Sequence, residues 1–228
     1  MNERPYVVLS CAMSLDGYID DFEDSRLLLS NAADFDRVDA VRAGCDAILV
    51  GAHTIRRDNP RLLIRSQHRQ EARVARGLPP SPKKVTLTAS GDLDPAASFF
   101  TTGDIDKIIY CTSSAVDKIR GFDAPGIVVD AGDSIDLAEL LGDLVERGVE
   151  RLVVEGGSYT LTGFLAAGLA DEAHLVVAPF FVGDSRAPRF VGDGDFPWNA
   201  QHRANLAEVR QIEDVVLLRY ALSDRFES

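Results

Sequence analysis

The chain has 228 residues, of which 46% are hydrophobic, and a formal net charge of −12. This length allows one large or two small domains, and because no break in composition divides the chain we predict a single domain over residues 1–228. The acidity would repel nucleic-acid phosphates and acidic membrane surfaces, so we exclude both as partners. The longest apolar runs are shorter than the roughly 20 residues of a membrane span, and no signal-peptide pattern opens the chain, which predicts a cytoplasmic protein.

The first elements are a strand, a turn and a helix. Tyr6–Ala12 has the composition of a strand, and Asp16-Gly17 is a turn signal. Ser30 or Asn31 can cap a helix that runs to about Ala43. These signals predict that the chain reverses direction soon after its first strand.

Arg42 lies on the apolar face of this helix, because Phe35, Val38 and Arg42 follow one another at i, i+3 and i+7. In one interpretation its stem covers apolar surface and its guanidinium reaches water near the negative helix end. In the other, the guanidinium points into a pocket that holds an anion or a polar substrate. The periodicity supports both interpretations equally.

The stretch Cys45–Arg65 joins a strand to a polar turn. Asp46–Gly51 contains a continuous apolar run, which is typical of a strand buried on both faces. Open α/β sheets place ligands at the C-terminal ends of such strands, so the polar residues that follow are site candidates. They are Thr54, Arg56, Arg57, Asp58, Asn59, Arg61 and Arg65. The alternative is a solvated basic loop.

The segment after this stretch, Ser66–Pro82, is polar and rich in proline near its end. It predicts a surface connection with about one helical turn. We interpret Arg69, Arg73 and Arg76 as solvated side chains of that connection. The arginines that precede them form a basic island in an acidic chain, which favours a small anionic ligand over a polymer.

The middle of the chain predicts short strands and one amphipathic helix. The strands are Lys84–Ala89, Lys107–Cys111 and Gly126–Asp130, and the helix is Ile135–Arg147, ended by Gly148. A further buried strand, Arg151–Val154, leads into Glu155-Gly156-Gly157 and a helix that runs to about Ala167. Two glycines between a strand and a helix either let backbone N–H groups approach a phosphate or serve only as a tight turn.

The last third predicts three more strands. Glu172–Pro179 is followed by Leu206–Ile212 and Val215–Leu222, which the Glu213-Asp214 turn joins into a hairpin. The whole pattern is α/β: a mixed sheet of about eight strands, with three main helices that cover both faces.

The cysteines and histidines give no metal signature. Cys11, Cys45 and Cys111 form no CxxC pair, so we predict reduced, buried thiols and no metal site. The four histidines occur in unrelated contexts, and we interpret each as a surface or packing residue. They are His53, His68, His174 and His202.

Three motifs together resemble the RibD C-terminal domain family, the reductase half of the riboflavin-pathway deaminase/reductase enzymes. They are MSLDG at Met13–Gly17, RAGCDAILVGAHTIRRDNPRL at Arg42–Leu62 and VEGGSYTLTGFLAAGLADE at Val154–Glu172. In order and spacing the resemblance extends over almost the whole chain. It implies a dihydrofolate-reductase-like, three-layer α/β/α fold with a mainly parallel central sheet. It also implies NADPH as hydride donor and a homodimer.

The resemblance implies roles for individual residues, carried over motif by motif. The implied substrate-binding residues are Arg42, Leu62, Arg65 and Glu155, of which Glu155 is also the implied catalytic group that orients the substrate. This favours the functional interpretation of Arg42. The implied cofactor contacts are Ala12, Thr54, Asp58, Ser90, Gly156, Gly157, Ser158 and Tyr159.

The implied reaction reduces the ribosyl group of 5-amino-6-(5-phosphoribosylamino)uracil to ribityl, with hydride transfer from NADPH to the sugar C1′. Within the same fold, the alternatives are the diamino-pyrimidinone analogue of this substrate and a dihydrofolate-like pterin. A non-catalytic nucleotide-binding regulator is the alternative from another class. The regulator is the more remote alternative. The residues do not rank the diamino-pyrimidinone against the uracil, because that choice depends on one exocyclic group and a few side chains.

The chain departs from the bacterial members of this family in three places. It has no HxE or PCxxC zinc signature of the deaminase half, which predicts a free-standing reductase. The loop before the first helix reads DSRLLLS at Asp24–Ser30, where those members have a Ser-rich, Trp-containing stretch that touches the ligands. Ser158-Tyr159 replaces their usual Pro-Thr pair.

Overall fold

The computed structural model describes residues 4–21, 23, 25, 27–123 and 126–226, which form nine strands and seven α-helices. The chain divides into two compact units. The central unit comprises Met1–Pro5 and Asp39–Val153, and the terminal unit comprises Tyr6–Val38 and Val154–Ser228. The single domain over residues 1–228 stays a prediction.

The strands of the central unit lie in the order β5-β4-β3-β2-β6. They are β2 (Ala47–Gly51), β3 (Lys83–Thr88), β4 (Lys107–Cys111), β5 (Ile127–Asp130) and β6 (Arg151–Val154). Strands β2 to β5 pair in parallel, with Gly51 opposite Leu87 and Thr88 opposite Cys111. Every residue of β2 is buried, as its continuous apolar run predicts.

The strands of the terminal unit lie in the order β1-β7-β9-β8. They are β1 (Tyr6–Ser14), β7 (Glu172–Ala178), β8 (Asn205–Ile212) and β9 (Val215–Ala221). Strands β1 and β7 are parallel, whereas β9 runs antiparallel to both β7 and β8. The predicted mixed, mainly parallel arrangement with a C-terminal hairpin is therefore confirmed, with nine strands in the described residues instead of about eight.

The seven α-helices of the described residues include the three main helices that the sequence predicts. They are α1 (Ala32–Ala43), α2 (Ala52–Asp58), α3 (Gln67–Val74), α4 (Ser98–Thr101), α5 (Val116–Arg120), α6 (Leu137–Glu146) and α7 (Ser158–Ala166). Asp136 caps the start of helix α6, where its carboxylate accepts hydrogen bonds from the backbone N–H groups of Ala138 and Glu139. Gly148, with a φ of 77°, follows the C-cap residue Arg147 and stops the helix.

Two predictions for the segment after β2 are wrong. The expected polar turn is helix α2, and the expected surface connection contains the two-turn helix α3. Arg73 of α3 is buried instead of solvated, and its guanidinium donates to the carbonyl oxygens of Ala43, Cys45 and Pro79 at 2.8–2.9 Å. The prediction is also wrong for Arg69, whose side chain is 24% exposed and pairs with Asp39 at 3.0 Å. These contacts anchor α3, which a polar sequence alone would not hold in place.

None of the three cysteines forms a disulfide bond. Cys45 and Cys111 are buried, as predicted, whereas Cys11 is half-buried, so the prediction is wrong for Cys11. Burial raises the pKa of the Cys11 thiol to about 12, which keeps it protonated at neutral pH. Within the ranges of the chain that the structure describes, no helix has the length and apolar character to cross a membrane.

Candidate active site

The residues with implied roles fall into two groups, one in each unit. In the central unit, Thr54 and Asp58 are four residues apart on α2, so their half-buried side chains lie on the same face of that helix. The helix ends at Asn59, which has a left-handed φ of 44° and donates its N–H to Ile55. The Asn59 side chain accepts a hydrogen bond from the backbone of Ser98 at 2.6 Å, which fixes this helix end.

Ser90 follows the C-terminal end of β3 and is exposed. Its hydroxyl accepts a hydrogen bond from the Asp92 backbone, and Arg56 of α2 donates to the Asp92 carbonyl oxygen at 2.6 Å. Because β2 and β3 are parallel, α2 and Ser90 lie at the same edge of the central sheet. The structure therefore brings the implied cofactor contacts Thr54, Asp58 and Ser90 to one edge.

The segment Leu62–Ser66, here called the arginine segment, carries two of the implied substrate residues. Leu62 is buried and has a φ of 51°, whereas Arg65 is exposed. The guanidinium of the third, Arg42, donates to the carbonyl oxygen of Leu63 at 3.2 Å. The structure thus gathers Arg42, Leu62 and Arg65 in the central unit, with Arg42 in direct contact with the segment that carries the other two.

The fourth implied substrate residue, Glu155, belongs to the terminal unit and is half-buried before the two glycines. Gly156 has a φ of 136° and Gly157 a φ of 32°, both in the region that favours glycine. Gly157 caps α7 without a side-chain hydrogen bond, and no acidic residue lies in the first turn of that helix. The first backbone N–H groups of a helix have no intrahelical partners, so a turn of this kind can bind an anion. Ser158 begins α7, and Tyr159 is 88% exposed.

Ala12 lies in the C-terminal half of β1, opposite Val176 of β7. It is half-buried and packs against the cluster formed by Val176, Val215 and Leu217. A small side chain at this position leaves room above the sheet for a neighbouring group.

Asp16 has a role that its turn signal did not reveal. Its carboxylate accepts hydrogen bonds from the Ser14 hydroxyl and from the backbone N–H groups of Val182 and Gly183, at 2.6–3.1 Å. Desolvation acts to raise the pKa of Asp16, but these hydrogen bonds outweigh it and lower the pKa to about 2. Asp16 therefore ties the loop after β1 to the loop after β7, at the C-terminal ends of two parallel strands.

His174 is a packing residue, as predicted. It is buried between Glu172, whose Oε1 lies 2.6 Å from its Nε2, and Arg37, whose Nη1 lies 3.3 Å from its Nδ1. Arg219 also donates to Glu172. Burial acts to raise the pKa of Glu172, but His174 and Arg219 lower it to about 2. The other histidines, His53, His68 and His202, are exposed.

The loop before α1 is only partly described. Phe22, Asp24 and Arg26 lie outside the described residues, so the departure at DSRLLLS stays a sequence observation. At the end of this loop, Asn31 caps α1 through a 2.9 Å hydrogen bond from the Asp34 backbone to its side-chain oxygen. Of the two predicted caps, the structure selects Asn31.

Parallel strands that end in polar side chains, and a glycine turn that opens a helix, are features of α/β proteins that bind phosphorylated ligands. Residues 5–218 match the model of the RibD C-terminal domain, and the chain belongs to this family.

Two relatives illustrate the range of the family. The 2,5-diamino-6-ribosylamino-4(3H)-pyrimidinone 5′-phosphate reductase of Archaeoglobus fulgidus is 32% identical over 193 residues, which cover 84% of this chain and 88% of that protein. The riboflavin biosynthesis protein RibD of Bacillus amyloliquefaciens is 34% identical over 197 residues, which cover 83% of this chain but 50% of that protein. The chain therefore matches the first relative over nearly its full length and the second over half.

Solved structures show the same fold. A pyrimidine reductase-like protein from Corynebacterium diphtheriae has a TM-score of 0.80 at 20% identity, over 95% of this chain and 91% of that chain. Dihydrofolate reductase from Enterococcus faecalis has a TM-score of 0.50 at 12% identity, over 95% of both chains. At these identities the likeness shows the fold alone. The fold is dihydrofolate-reductase-like, as the sequence resemblance implies.

Proposed function

We propose that this chain is an NADPH-dependent reductase of riboflavin biosynthesis that converts the ribosyl group of a phosphorylated aminopyrimidine to ribityl. The proposed substrate is 2,5-diamino-6-ribosylamino-4(3H)-pyrimidinone 5′-phosphate. The observation that carries this choice is the near full-length match with a free-standing relative that is named for that reaction. The diamino compound, an alternative on sequence grounds, thus becomes the first candidate.

NADPH, when bound, supplies the hydride that is transferred to the sugar C1′. The Gly156-Gly157 turn and the first turn of α7 would hold its diphosphate, because backbone N–H groups and a positive helix end face outward there. Ser158 and Tyr159 continue this surface. The other proposed contacts with the cofactor are Ala12, Thr54, Asp58 and Ser90.

The substrate contacts follow from charge and placement. Arg65 is exposed on the arginine segment, and its planar guanidinium suits two-point binding of a phosphate. Arg42 and Leu62 are the other proposed substrate contacts on this side. The guanidinium of Arg42 donates to the Leu63 carbonyl oxygen of the same segment, and Leu62, at the start of that segment, is buried. The carboxylate of Glu155 would accept hydrogen bonds from the substrate and hold the sugar carbon in line for hydride transfer.

We also propose a homodimer that forms through the β8–β9 hairpin. Val209, opposite Leu218, and Val216, opposite Gln211, point to the same face of this hairpin. Leu206, Val209 and Val216 are 48%, 60% and 37% exposed. An exposed apolar face at a sheet edge promotes aggregation unless a partner covers it. A second copy of the chain would cover this face with the same residues in a symmetric dimer.

A second candidate substrate is 5-amino-6-(5-phosphoribosylamino)uracil, which the RibD resemblance favours. Following NADPH absorbance with the diamino compound, the uracil and dihydrofolate separates the candidates. We expect turnover with the diamino compound and a lower kcat/KM with the uracil. Turnover of dihydrofolate alone would assign a pterin reductase, and NADPH binding without turnover of any of the three would assign a regulator.

A further inference from the structure

Asp39 is a buried carboxylate to which neither the sequence motifs nor the proposed function assigns a role. It lies on α1 and is 3% exposed. Its two oxygens accept hydrogen bonds from the backbone N–H groups of Arg65 at 2.5 Å and Ser66 at 3.2 Å, and from the guanidinium of Arg69 at 3.0 Å. A buried carboxylate with three donors is a strong local constraint, because each hydrogen bond to a charged acceptor is stronger than a neutral one.

Other side chains form hydrogen bonds with the backbone of Leu63 and Ile64 in the arginine segment. Arg42 donates to the carbonyl oxygen of Leu63. The Ser81 hydroxyl accepts from the N–H of Ile64 at 3.0 Å, and the Gln70 amide donates to the Ile64 carbonyl oxygen at 2.7 Å. Five backbone groups of residues 63–66 are therefore satisfied by side chains from outside the segment, although the segment has no regular secondary structure.

The backbone conformation of Leu62 is unfavourable and requires the hydrogen bonds that hold the arginine segment. Its φ of 51° lies in the left-handed region, which a leucine disfavours, and its side chain is 2% exposed. A conformation of this kind persists only where the surroundings determine it, and such positions concentrate at ligand sites. The segment is therefore held in one shape before any ligand arrives.

We propose that Asp39 is a positioning residue, whose carboxylate fixes the backbone at Arg65 so that the exposed guanidinium meets the substrate phosphate in one orientation. The inference rests on the proposed role of Arg65 and deepens it. Asp39 lies beneath the segment and contacts Arg65 through the backbone N–H group of that residue. A preformed segment saves the cost of ordering Arg65 on binding, which should lower KM for the phosphorylated substrate.

Asp39→Asn tests the proposal with little change in volume. An amide can accept from one backbone N–H but must turn its NH₂ group toward the other donors. We expect KM for the diamino pyrimidine phosphate to rise about tenfold, with kcat and KM for NADPH changed less than twofold. Gln70→Ala, a milder variant that removes one donor to the segment, should raise the same KM about twofold and keeps the test available if Asp39→Asn folds poorly.

Asp143→Asn is the matched control, because Asp143 also accepts from an arginine, Arg147, and from the Tyr110 hydroxyl in the same unit. It should lower thermal stability and leave KM unchanged. If Arg65→Ala raises KM while Asp39→Asn and Gln70→Ala leave it unchanged, the positioning role is overturned and the proposed function stands. If Arg65→Ala also leaves KM unchanged, the assignment of Arg65 fails, and the role of Asp39 fails with it.

Discussion

The Nη1 atom of Arg42 lies 3.2 Å from the carbonyl oxygen of Leu63 and donates a hydrogen bond to it. Arg42 therefore supports the backbone of the segment that carries Arg65. A substitution of Arg42 would disturb both its own proposed substrate contact and that segment. The more direct test of phosphate binding is Arg65, whose side chain is exposed.

Arg65→Ala should raise KM for the phosphorylated pyrimidine roughly ten- to a hundredfold, because a charge-assisted contact is worth about 1.5–3 kcal/mol. KM for NADPH should stay close to the wild-type value. Arg76→Ala, which removes another exposed arginine of the same unit, is the control and should change neither constant. Steady-state kinetics decide: equal KM values for the two variants would refute a phosphate contact at Arg65.

Glu155→Gln should lower kcat about ten- to a hundredfold, with less effect on KM for NADPH. The amide keeps the size of the side chain but loses the charge that strengthens its hydrogen bonds to the substrate. Glu150→Gln, at an exposed position just before β6, should leave kcat unchanged. Single-turnover rates would show whether the chemical step is the one that slows. A wild-type single-turnover rate for Glu155→Gln would contradict a catalytic role of Glu155.

Gly157→Val should weaken NADPH binding at least tenfold, since a side chain would block the approach of a phosphate to the backbone at the start of α7. The φ of 32° also strains any residue other than glycine at this position, so stability will fall as well. Gly148→Val separates the two effects, because Gly148 also has a positive φ, 77°, and open space where a Cβ would lie. Fluorescence titration with NADPH should show normal affinity for Gly148→Val. Normal affinity for Gly157→Val would contradict the proposal that the Gly156-Gly157 turn binds the diphosphate of NADPH.

Glu172 should make stability depend on pH in the acid range. Its folded pKa of about 2 is below the ordinary value of 4.5, so its stabilisation is complete above pH 4.5 and is lost as the pH falls through 2. The shift corresponds to a contribution on the order of 3 kcal/mol. Urea unfolding at several pH values should give a smaller decline between pH 5 and 2 for Glu172→Gln than for the wild type, and parallel curves would contradict this.

If the protein forms the proposed homodimer, light scattering at micromolar concentration should give a mass of about twice 24.8 kDa. Val209→Lys places a charge on the apolar face of the hairpin and should shift the mass to that of the monomer. Val74→Lys, at a similarly exposed valine on α3, should remain dimeric. A monomeric wild-type protein would exclude the proposed interface.

Local patterns predicted most of the elements, because burial of β2 and the amphipathic face of α6 follow from neighbouring residues. Burial of Arg73 could not be predicted in this way, since two of its acceptors, Ala43 and Cys45, lie about thirty residues earlier in the chain. Helix α2 could not be predicted either, because its seven residues are too few to show a clear helical period in the sequence.

The candidate site was less accessible to pattern reasoning. The basic residues after β2 indicated the edge of the sheet at which the candidate site lies. The proposed roles of Ala12 and Ser90 came from family resemblance, because an isolated alanine or serine carries no signal. Asp39 could not be identified from the sequence, since its proposed role depends on hydrogen bonds from the backbone of Arg65 and Ser66, which have no sequence signature. The left-handed Leu62 is equally invisible in the sequence, because leucine gives no indication of a positive φ.

The proposed chemistry is hydride transfer to the sugar of a phosphorylated aminopyrimidine, and isotope transfer tests it most directly. The protein would be incubated with the diamino pyrimidine phosphate and NADPH that carries deuterium at the transferable C4 position, and the product analysed by mass spectrometry and NMR. We predict a ribityl product with deuterium at C1′. An unlabelled or unreduced sugar, under conditions where the protein is folded and binds NADPH, would contradict the proposed reaction.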